Sequence, residues 1–264
     1  MTDSQQPPQP PWYVSAFDRS YLERYRHRDD AEAERQIEFL FSACGLTGRA
    51  EASRRERVLD LCCGAGRHAI QLARRGATPI GVDLSHELLL EARSAGERAN
   101  LSIEVARSDM RRLPFSAGSF ALVIQMFTAF GYFEEDAENR QVLAEVARVL
   151  APGGRYLLDL LNRNFVVRHL VPESTETRAD GTLVRQLRRF DQERGRIEKR
   201  IFESSARGHI TQRFESVRIF DREEITDWLH AAGLEVVSLH GRFDDGGFDP
   251  DGSERMIVLA RRPR

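Results

Sequence analysis

Lysine is almost missing from this chain. Lys199 is the only one, and arginine supplies the rest of the positive charge. We read this as a coding bias, although the planar guanidinium does suit bidentate anion contacts better than an ammonium. Cysteine is scarce too. Cys44, Cys62 and Cys63 form no C-x-x-C pair, which argues against a disulfide framework and a zinc site and fits a reducing compartment. No apolar run approaches the roughly 18 residues that a membrane span needs, and the Pro/Gln-rich stretch Met1 to Pro11 lacks the apolar centre of a signal peptide. Nor does one sign of charge dominate: the formal net charge is −2, so no overall field draws the protein to nucleic acid or to a membrane surface. The expectation is a cytoplasmic protein, monomer or homodimer, with neither a nucleic acid nor a membrane as partner.

What is present is a chain of 264 residues, 41% hydrophobic and 30% charged, enough for one α/β domain with an arm or an insertion. Residues 1–11 read as a disordered tail. Residues 12–55 hold an aromatic arm (Trp12, Tyr13, Phe17, Tyr21, Tyr25) and a helix over Asp30–Cys44 stopped by Gly45. Residues 56–165 alternate strand and helix patterns. Strands are predicted at Val58–Leu61, Thr78–Val82, Leu101–Ala106, Phe120–Ile124 and Arg155–Leu160, and helices at Gly66–Arg75, after the cap Ser85, and at Asp136–Leu150 before Pro152-Gly153-Gly154. That alternation predicts a mostly parallel sheet with helices on both faces. In residues 166–220 the period changes to three antiparallel strands, Leu183–Phe190, Arg196–Glu203 and Ile210–Phe220. Residues 221–264 return to the core with a capping box at Asp221 to Glu224, a helix ending at Gly233, and strands at Glu235–His240 and Met256–Ala260.

The first chemistry-bearing element is Val58 to Ala69, a strand, a tight turn and a helix start. Gly64, Gly66 and Ala69 satisfy G-x-G-x-x-[GA], and Asp83 ends the next strand, which by itself equally suits a dinucleotide or a turn that merely packs a helix on a strand. Asp60, at the end of the strand, discriminates between nucleotides. A carboxylate there repels a diphosphate and suits a ligand with an ammonium and a sulfonium, namely S-adenosylmethionine. The remaining contacts are expected where an open α/β sheet binds ligands, at successive strand ends. Asp83 can accept from both ribose hydroxyls. The carboxylate of Asp109 can accept from an adenine amino group while the Met110 N–H donates to a ring nitrogen, and Gln125 and Met126 offer main-chain groups.

The segments LDLCCGAGRHA, GVDLS, SDMRRLPF, FALVIQMF and VLAPGGRYLLDLLN, in this order and spacing between Val58 and Asn162, resemble the class I, Rossmann-like methyltransferase family. The resemblance implies a seven-stranded sheet with a final antiparallel hairpin, S-adenosyl-L-methionine as cofactor, and Asp60, Cys62, Gly64, Gly66, Asp83, Leu84, Asp109, Met110 and Gln125 as cofactor-binding positions. Cys62 stands where the family usually has its first glycine, and Ala121 where it often has aspartate. The resemblance also places the acceptor above strands four and five, under the arm and the inserted strands. The Phe17 to Tyr21 segment and the MFTAFGY loop look like the small-molecule N-methyltransferases, including those that dimethylate amino sugars.

No carboxylate pair or Cys/His couple stands out as a general base, which favours an acceptor that is already nucleophilic, such as an amine. Tyr21 and Tyr132 are the candidates to orient the acceptor through their hydroxyls, although tyrosines at such places also commonly cover core edges. Asn162 is a further candidate or a helix cap, His68 a contact for the cofactor carboxylate or a surface histidine, and His240 a strand residue. Cationic side chains outnumber acidic ones between Arg178 and Arg222, which suits an anionic substrate or, more simply, charge-protected edge strands. The rival functions are an RNA or protein methyltransferase, an NAD-dependent oxidoreductase, and a cofactor-binding relative without turnover.

Overall fold

A computed structural model describes residues 10–18, 21–22, 30–44, 57–205, 208–244 and 246–264. Residues 1–9 of the expected tail (1–11), the arm residue Tyr25, the helix stop Gly45 and the linker up to residue 56 lie outside the described residues; of the tail, Pro11 caps α1, its carbonyl accepting from the Val14 N–H at 3.0 Å.

Two short helical elements precede the sheet, α1 (Trp12–Ser15) and α2 (Asp30–Ala43). The core then runs β1 (Arg57–Leu61), α3 (Arg67–Arg74), β2 (Thr78–Asp83), α4 (His86–Arg98), β3 (Glu104–Arg107), β4 (Phe120–Gln125), α5 (Asp136–Val149), β5 (Leu150–Leu161) and α6 (Arg163–Arg168). An antiparallel insertion follows as β6 (Glu173–Thr177), β7 (Leu183–Asp191), β8 (Arg196–Ser204) and β9 (Ile210–Arg218). The chain ends with α7 (Arg222–Ala231), β10 (Glu235–His240) and β11 (Arg255–Arg261). The large sheet has seven strands in the order β10-β11-β5-β4-β1-β2-β3. Only β11 runs against its neighbours. The insertion forms a separate four-stranded sheet, β6-β7-β8-β9.

The strands are apolar on both faces because both faces are covered. On one side Leu59, Leu61, Val123, Tyr156, Leu158 and Val258 pack against Val142, Val146 and Val149 of α5 and Ile225 and Trp228 of α7. On the other side Val58, Leu122, Ile124, Leu157 and Ile257 pack against Ile37 and Leu40 of α2 and Leu72 of α3. The alternation puts Asp60 and Asp159 on this second face, at the C-terminal ends of β1 and β5. Local signals set the helix starts: Ser85 Oγ accepts from the Leu88 N–H at 3.3 Å, and an Asp221 oxygen accepts from the Glu224 N–H at 2.9 Å.

Three boundaries differ from the expectation. The third strand begins only at Glu104, because the Leu101 N–H closes the end of α4 on the Gly96 carbonyl. The fifth strand begins at Leu150 rather than Arg155. Leu150 lies opposite Phe120 and Arg155 opposite Leu122, so the Pro152-Gly153-Gly154 segment forms a bulge inside the strand rather than a loop before it. The insertion has a fourth strand, β6, which the sequence reading missed: it is a sheet edge, mostly exposed, with no buried face to leave an apolar alternation. Among the described residues no helix is long and apolar enough to cross a membrane.

Candidate cofactor and acceptor site

At the C-terminal ends of β1, β2 and β4 the sheet opens into a cleft with two adjoining lobes. The first, of about 700 Å³, is floored by Leu61, Cys62, Gly64, Asp83, Leu84, Ser108, Asp109 and Met110 and roofed by Tyr13, Phe17, Tyr21, Tyr132 and Phe133. The second lies along the glycine turn, between Cys63, Gly64, Ala65, Arg67 and His68 on one side and Tyr21, Leu22, Met126 and Phe127 on the other.

The glycine turn is built from short-range bonds. Gly66 N–H donates to the Cys63 carbonyl, Cys63 N–H to the Val82 carbonyl of β2, and Ile70 N–H back to the Gly66 carbonyl. Gly66 itself does not line the cleft. Its φ is +79°, and a Cβ there would come within 3.0 Å of the Ala92 Cβ on α4, so it is glycine for the turn and for close packing of α3 on α4. Cys62 holds the same left-handed backbone with a side chain (φ +62°). Its thiol donates to Met110 Sδ at 3.6 Å, and burial pushes the thiol pKa well up.

Asp83 is where an acceptor for a nucleoside is expected. One carboxylate oxygen accepts from the Gly64 N–H at 2.9 Å and the other from the Ser85 N–H at 2.8 Å. Each oxygen keeps a lone pair for the cleft. Desolvation raises the Asp83 pKa, against the lowering effect of the Ser85 and Gly64 amides. The first lobe has no lysine or arginine among its lining residues, so it offers a diphosphate no counter-charge.

Asp60 departs from its expected position. Its carboxylate is 1% exposed and lines neither lobe; it lies beneath the turn and accepts from the Ala69 N–H at 3.1 Å. Burial raises its pKa to about 7, Ala69 lowers it, and the nearby Asp83 raises it again. The direct repulsion of a diphosphate expected from Asp60 is therefore not exerted in the cleft, and Asp83 does not replace it, since dinucleotide folds carry a ribose-binding carboxylate at the same strand end. The Gln125 side chain is fully buried, its amide donating to the Ala129 carbonyl at 2.6 Å and its carbonyl accepting from Tyr156 Oη at 2.5 Å, so only its main chain is left for a ligand, beside Met126 and Phe127, which line the cleft. Asp109 faces the first lobe, yet Arg111 occupies its carboxylate, Oδ1 accepting from the backbone N–H at 2.8 Å and Oδ2 from Nη2 at 2.5 Å. Burial alone would raise the Asp109 pKa, and Arg111 more than offsets it.

The loop after β4 forms the other wall. Phe127 and Thr128 are both left-handed, with φ of +60° and +56°, a conformation that non-glycine residues hold only under constraint. The constraint comes from afar: Asp159 Oδ2 accepts from the Phe127 N–H at 2.8 Å, and the Asp159 carbonyl from the Thr128 N–H at 3.0 Å. Arg255 of β11 donates to Asp159 Oδ1 at 2.5 Å and to Thr128 Oγ1 at 3.0 Å. Asp159 was missed in the sequence, although a lone carboxylate in an apolar strand is a signal. Arg255 gave none.

Tyr21 and Tyr132 are brought together in the roof. Phe17 lies between them, 5.2 Å from the Tyr21 ring and stacked at 5.6 Å on Tyr132, and Trp12 meets Tyr132 edge-on at 5.0 Å. Burial raises the Tyr132 pKa well up, so its hydroxyl stays neutral and acts as a hydrogen-bonding group rather than a base. The arm is tied to the inserted sheet by Arg213 of β9, which donates to Asp18 at 2.9 Å. The other candidates resolve simply. Asn162 caps α6, accepting from the Asn164 N–H, and donates to the Pro250 and Ser253 carbonyls, outside the cleft. His68 is buried, not on the surface; its Nε2 is 2.7 Å from Gln36 Oε1, and it lines the second lobe. His240 Nε2 is 2.9 Å from Ser238 Oγ, and its ring meets Phe39.

The comparisons with known proteins agree with this geometry. The methyltransferase-domain family matches residues 58–154. YqeM of Bacillus subtilis, a protein named as a methyltransferase, is 27% identical over 79% of this chain and 85% of its own. The crystal structure of an S-adenosylmethionine-dependent methyltransferase from Clostridium acetobutylicum superposes with a TM-score of 0.76 at 18% identity, covering 93% of this chain and 97% of that one. The sugar N-methyltransferase KedS8 from a Streptoalloteichus species gives 0.68 at 22%, covering 100% and 99%. The lack of a cation in the first lobe suits an amino-acid nucleoside better than a dinucleotide; residues 58–154 form a methyltransferase domain, and the chain is an S-adenosylmethionine-dependent methyltransferase with a Rossmann-like fold.

Proposed function

We propose that this methyltransferase acts in the cytoplasm on a small-molecule amine, and that the cleft described above holds the cofactor. The observation that carries the acceptor reading is the roof: an aromatic cover of Phe17, Tyr21 and Tyr132, contributed by the arm and the loop after β4, with two phenol hydroxyls and no histidine–carboxylate couple among the described residues lining it. Its likeness to a sugar N-methyltransferase over the whole chain supports the same class.

In this reading Asp83 accepts from the ribose hydroxyls and Leu84 and Met110 sandwich the adenine. Met110 N–H and, to the extent that Arg111 leaves it free, Asp109 serve the ring edge. Cys62 and Gly64 bring the turn close to the amino-acid part, and Asp60 acts through the turn, fixing the Ala69 N–H. The cofactor supplies a methyl group already activated on a sulfonium. The chain therefore needs chiefly to hold the acceptor in line with that methyl at contact distance. Tyr21 and Tyr132 orient an amine that arrives deprotonated, so no protein base is required.

The test is methyl transfer from labelled S-adenosylmethionine to a panel of amino sugars and other small amines, with phenols, RNA and protein alongside, read by mass spectrometry. N-methylation of a small amine is expected; transfer only to RNA or protein overturns the reading. For the cofactor, Asp83→Ala is expected to weaken S-adenosylhomocysteine binding by about 1.5–3 kcal/mol, the worth of a charged hydrogen-bonding group. An unchanged affinity in calorimetry would remove the ribose from Asp83.

A further inference from the structure

Arg196, at the start of β8, is 1% exposed, and among the described residues no carboxylate lies within ion-pair distance of it. Its donors go elsewhere. Nη1 donates to the Phe133 carbonyl at 2.8 Å, and Nη2 to the carbonyls of Gly131 and Tyr132 at 3.2 Å and of Ser216 at 2.8 Å. Nε donates to Ser216 Oγ at 2.8 Å. Asp136 and Glu198 act on it only from beyond contact, and a buried cation with no carboxylate in contact is costly unless its hydrogen bonds are complete. Three of these bonds converge on consecutive carbonyls of one loop, and that loop carries Tyr132 and Phe133 into the roof of the cleft. The loop is pressed against the inserted sheet at a second point. Arg218 N–H of β9 donates to the Gly131 carbonyl at 2.8 Å, and a Cβ on Gly131 (φ +87°) would strike the Arg218 carbonyl oxygen.

We infer that Arg196 is a positioning residue through which the inserted antiparallel sheet sets the roof of the cofactor cleft. The sheet is thus a working part of the site rather than an appendage. Holding three successive carbonyls fixes the direction of the Tyr132 and Phe133 rings, and through the Trp12 and Phe17 contacts it fixes the arm against them. A lysine has the charge but not the planar fork, and reaches fewer of these oxygens. The inference rests on the reading of this cleft as the cofactor site.

The experiment measures S-adenosylhomocysteine binding by calorimetry in the full chain, together with the emission of Trp12 in a Trp228→Phe background, since the chain has two tryptophans. Arg196→Met and Arg196→Lys are expected to weaken binding about tenfold, shift Trp12 emission to the red and lose its response to ligand. Ser216→Ala, which removes only the Nε partner, is expected to weaken binding about threefold, and it decides the matter should the Arg196 variants not fold. Arg178→Ala breaks the 2.7 Å ion pair with Glu203 in the same sheet without touching the loop, and should leave affinity and emission unchanged. Equal losses in Arg178→Ala and the Arg196 variants, or wild-type affinity in Ser216→Ala and Arg196→Met, overturn the inference. Unchanged affinity in Asp83→Ala would instead overturn the placement of the cofactor, so the two failures are distinct.

Discussion

The two walls of the cleft are built on different plans. The glycine turn is fixed by its own neighbourhood: amides of residues 64 to 70 bond to Cys63, Gly66, Asp60 and Asp83, all within β1, α3 and the tip of β2. The loop after β4 is fixed from a distance, by Asp159 on β5, Arg255 on β11 and Arg196 on the inserted sheet. Both walls hold non-glycine residues in left-handed backbone, Cys62 in one and Phe127 and Thr128 in the other. In the first the backbone bonds around the strained residue come from partners near it in sequence. In the second the strain is sustained only once strands far apart in sequence have met. A wall of the first kind is a property of a motif, and one of the second kind is a property of the whole fold.

The sharpest break in this comparison is Asp159→Asn. The amide cannot accept from the Phe127 N–H and from Arg255 with both its ends, and it leaves the Arg255 charge unpaired. Breaking one partner of a buried pair in this way is expected to cost about 3 kcal/mol in urea unfolding. A loss below about 1 kcal/mol would mean that the loop holds itself, as the glycine turn does. The next effect belongs to the glycine wall and appears with pH. The folded pKa of Asp60, about 7, lies above its ordinary value, so the folded chain binds that proton more tightly than the unfolded one. Its contribution to stability is whole below about pH 4 and is lost as pH rises to about 7. The difference in stability between wild type and Asp60→Asn should therefore change across that window and level off above it; a difference that stays flat with pH would show that the buried carboxyl does not titrate there. The smallest effect is that of Cys62→Gly. Relief of the left-handed strain gains about 1 kcal/mol, and the added freedom of the unfolded chain takes back a similar amount. Thermal unfolding should move by less than about 4 °C. A larger drop would show that the Cys62–Met110 contact, not the backbone, holds the turn.

The same division explains what could be read from the sequence. The parallel core, the antiparallel final strand, the Ser85 and Asp221 caps and the glycine turn all rest on local patterns, and each is visible in a few consecutive residues. The place of Asp83 at a strand end beside the cleft is legible because a strand end followed by a cap is local too. Asp60 was found but misdirected: its position in the strand is local, whereas its burial depends on how α3 lies over it. The partners of the Gln125 side chain, Tyr156 on the next strand of the sheet and the Ala129 carbonyl, are out of reach of a local pattern for the same reason. Arg196 and Arg255 left no trace, because an arginine in an arginine-rich chain says nothing about which carbonyls it will meet. The edge strand β6 escaped because a strand without a buried face has no period to detect.

The loop over residues 131–133 has one further consequence. Its carbonyl oxygens have all turned inward to a guanidinium, so what it presents to a visiting molecule is aromatic surface and one phenolic oxygen. If the acceptor enters here, as proposed, selection at that point works by girth and flatness. A compound altered only in groups that would seek a main-chain acceptor passes unnoticed there, while one made bulkier is turned away.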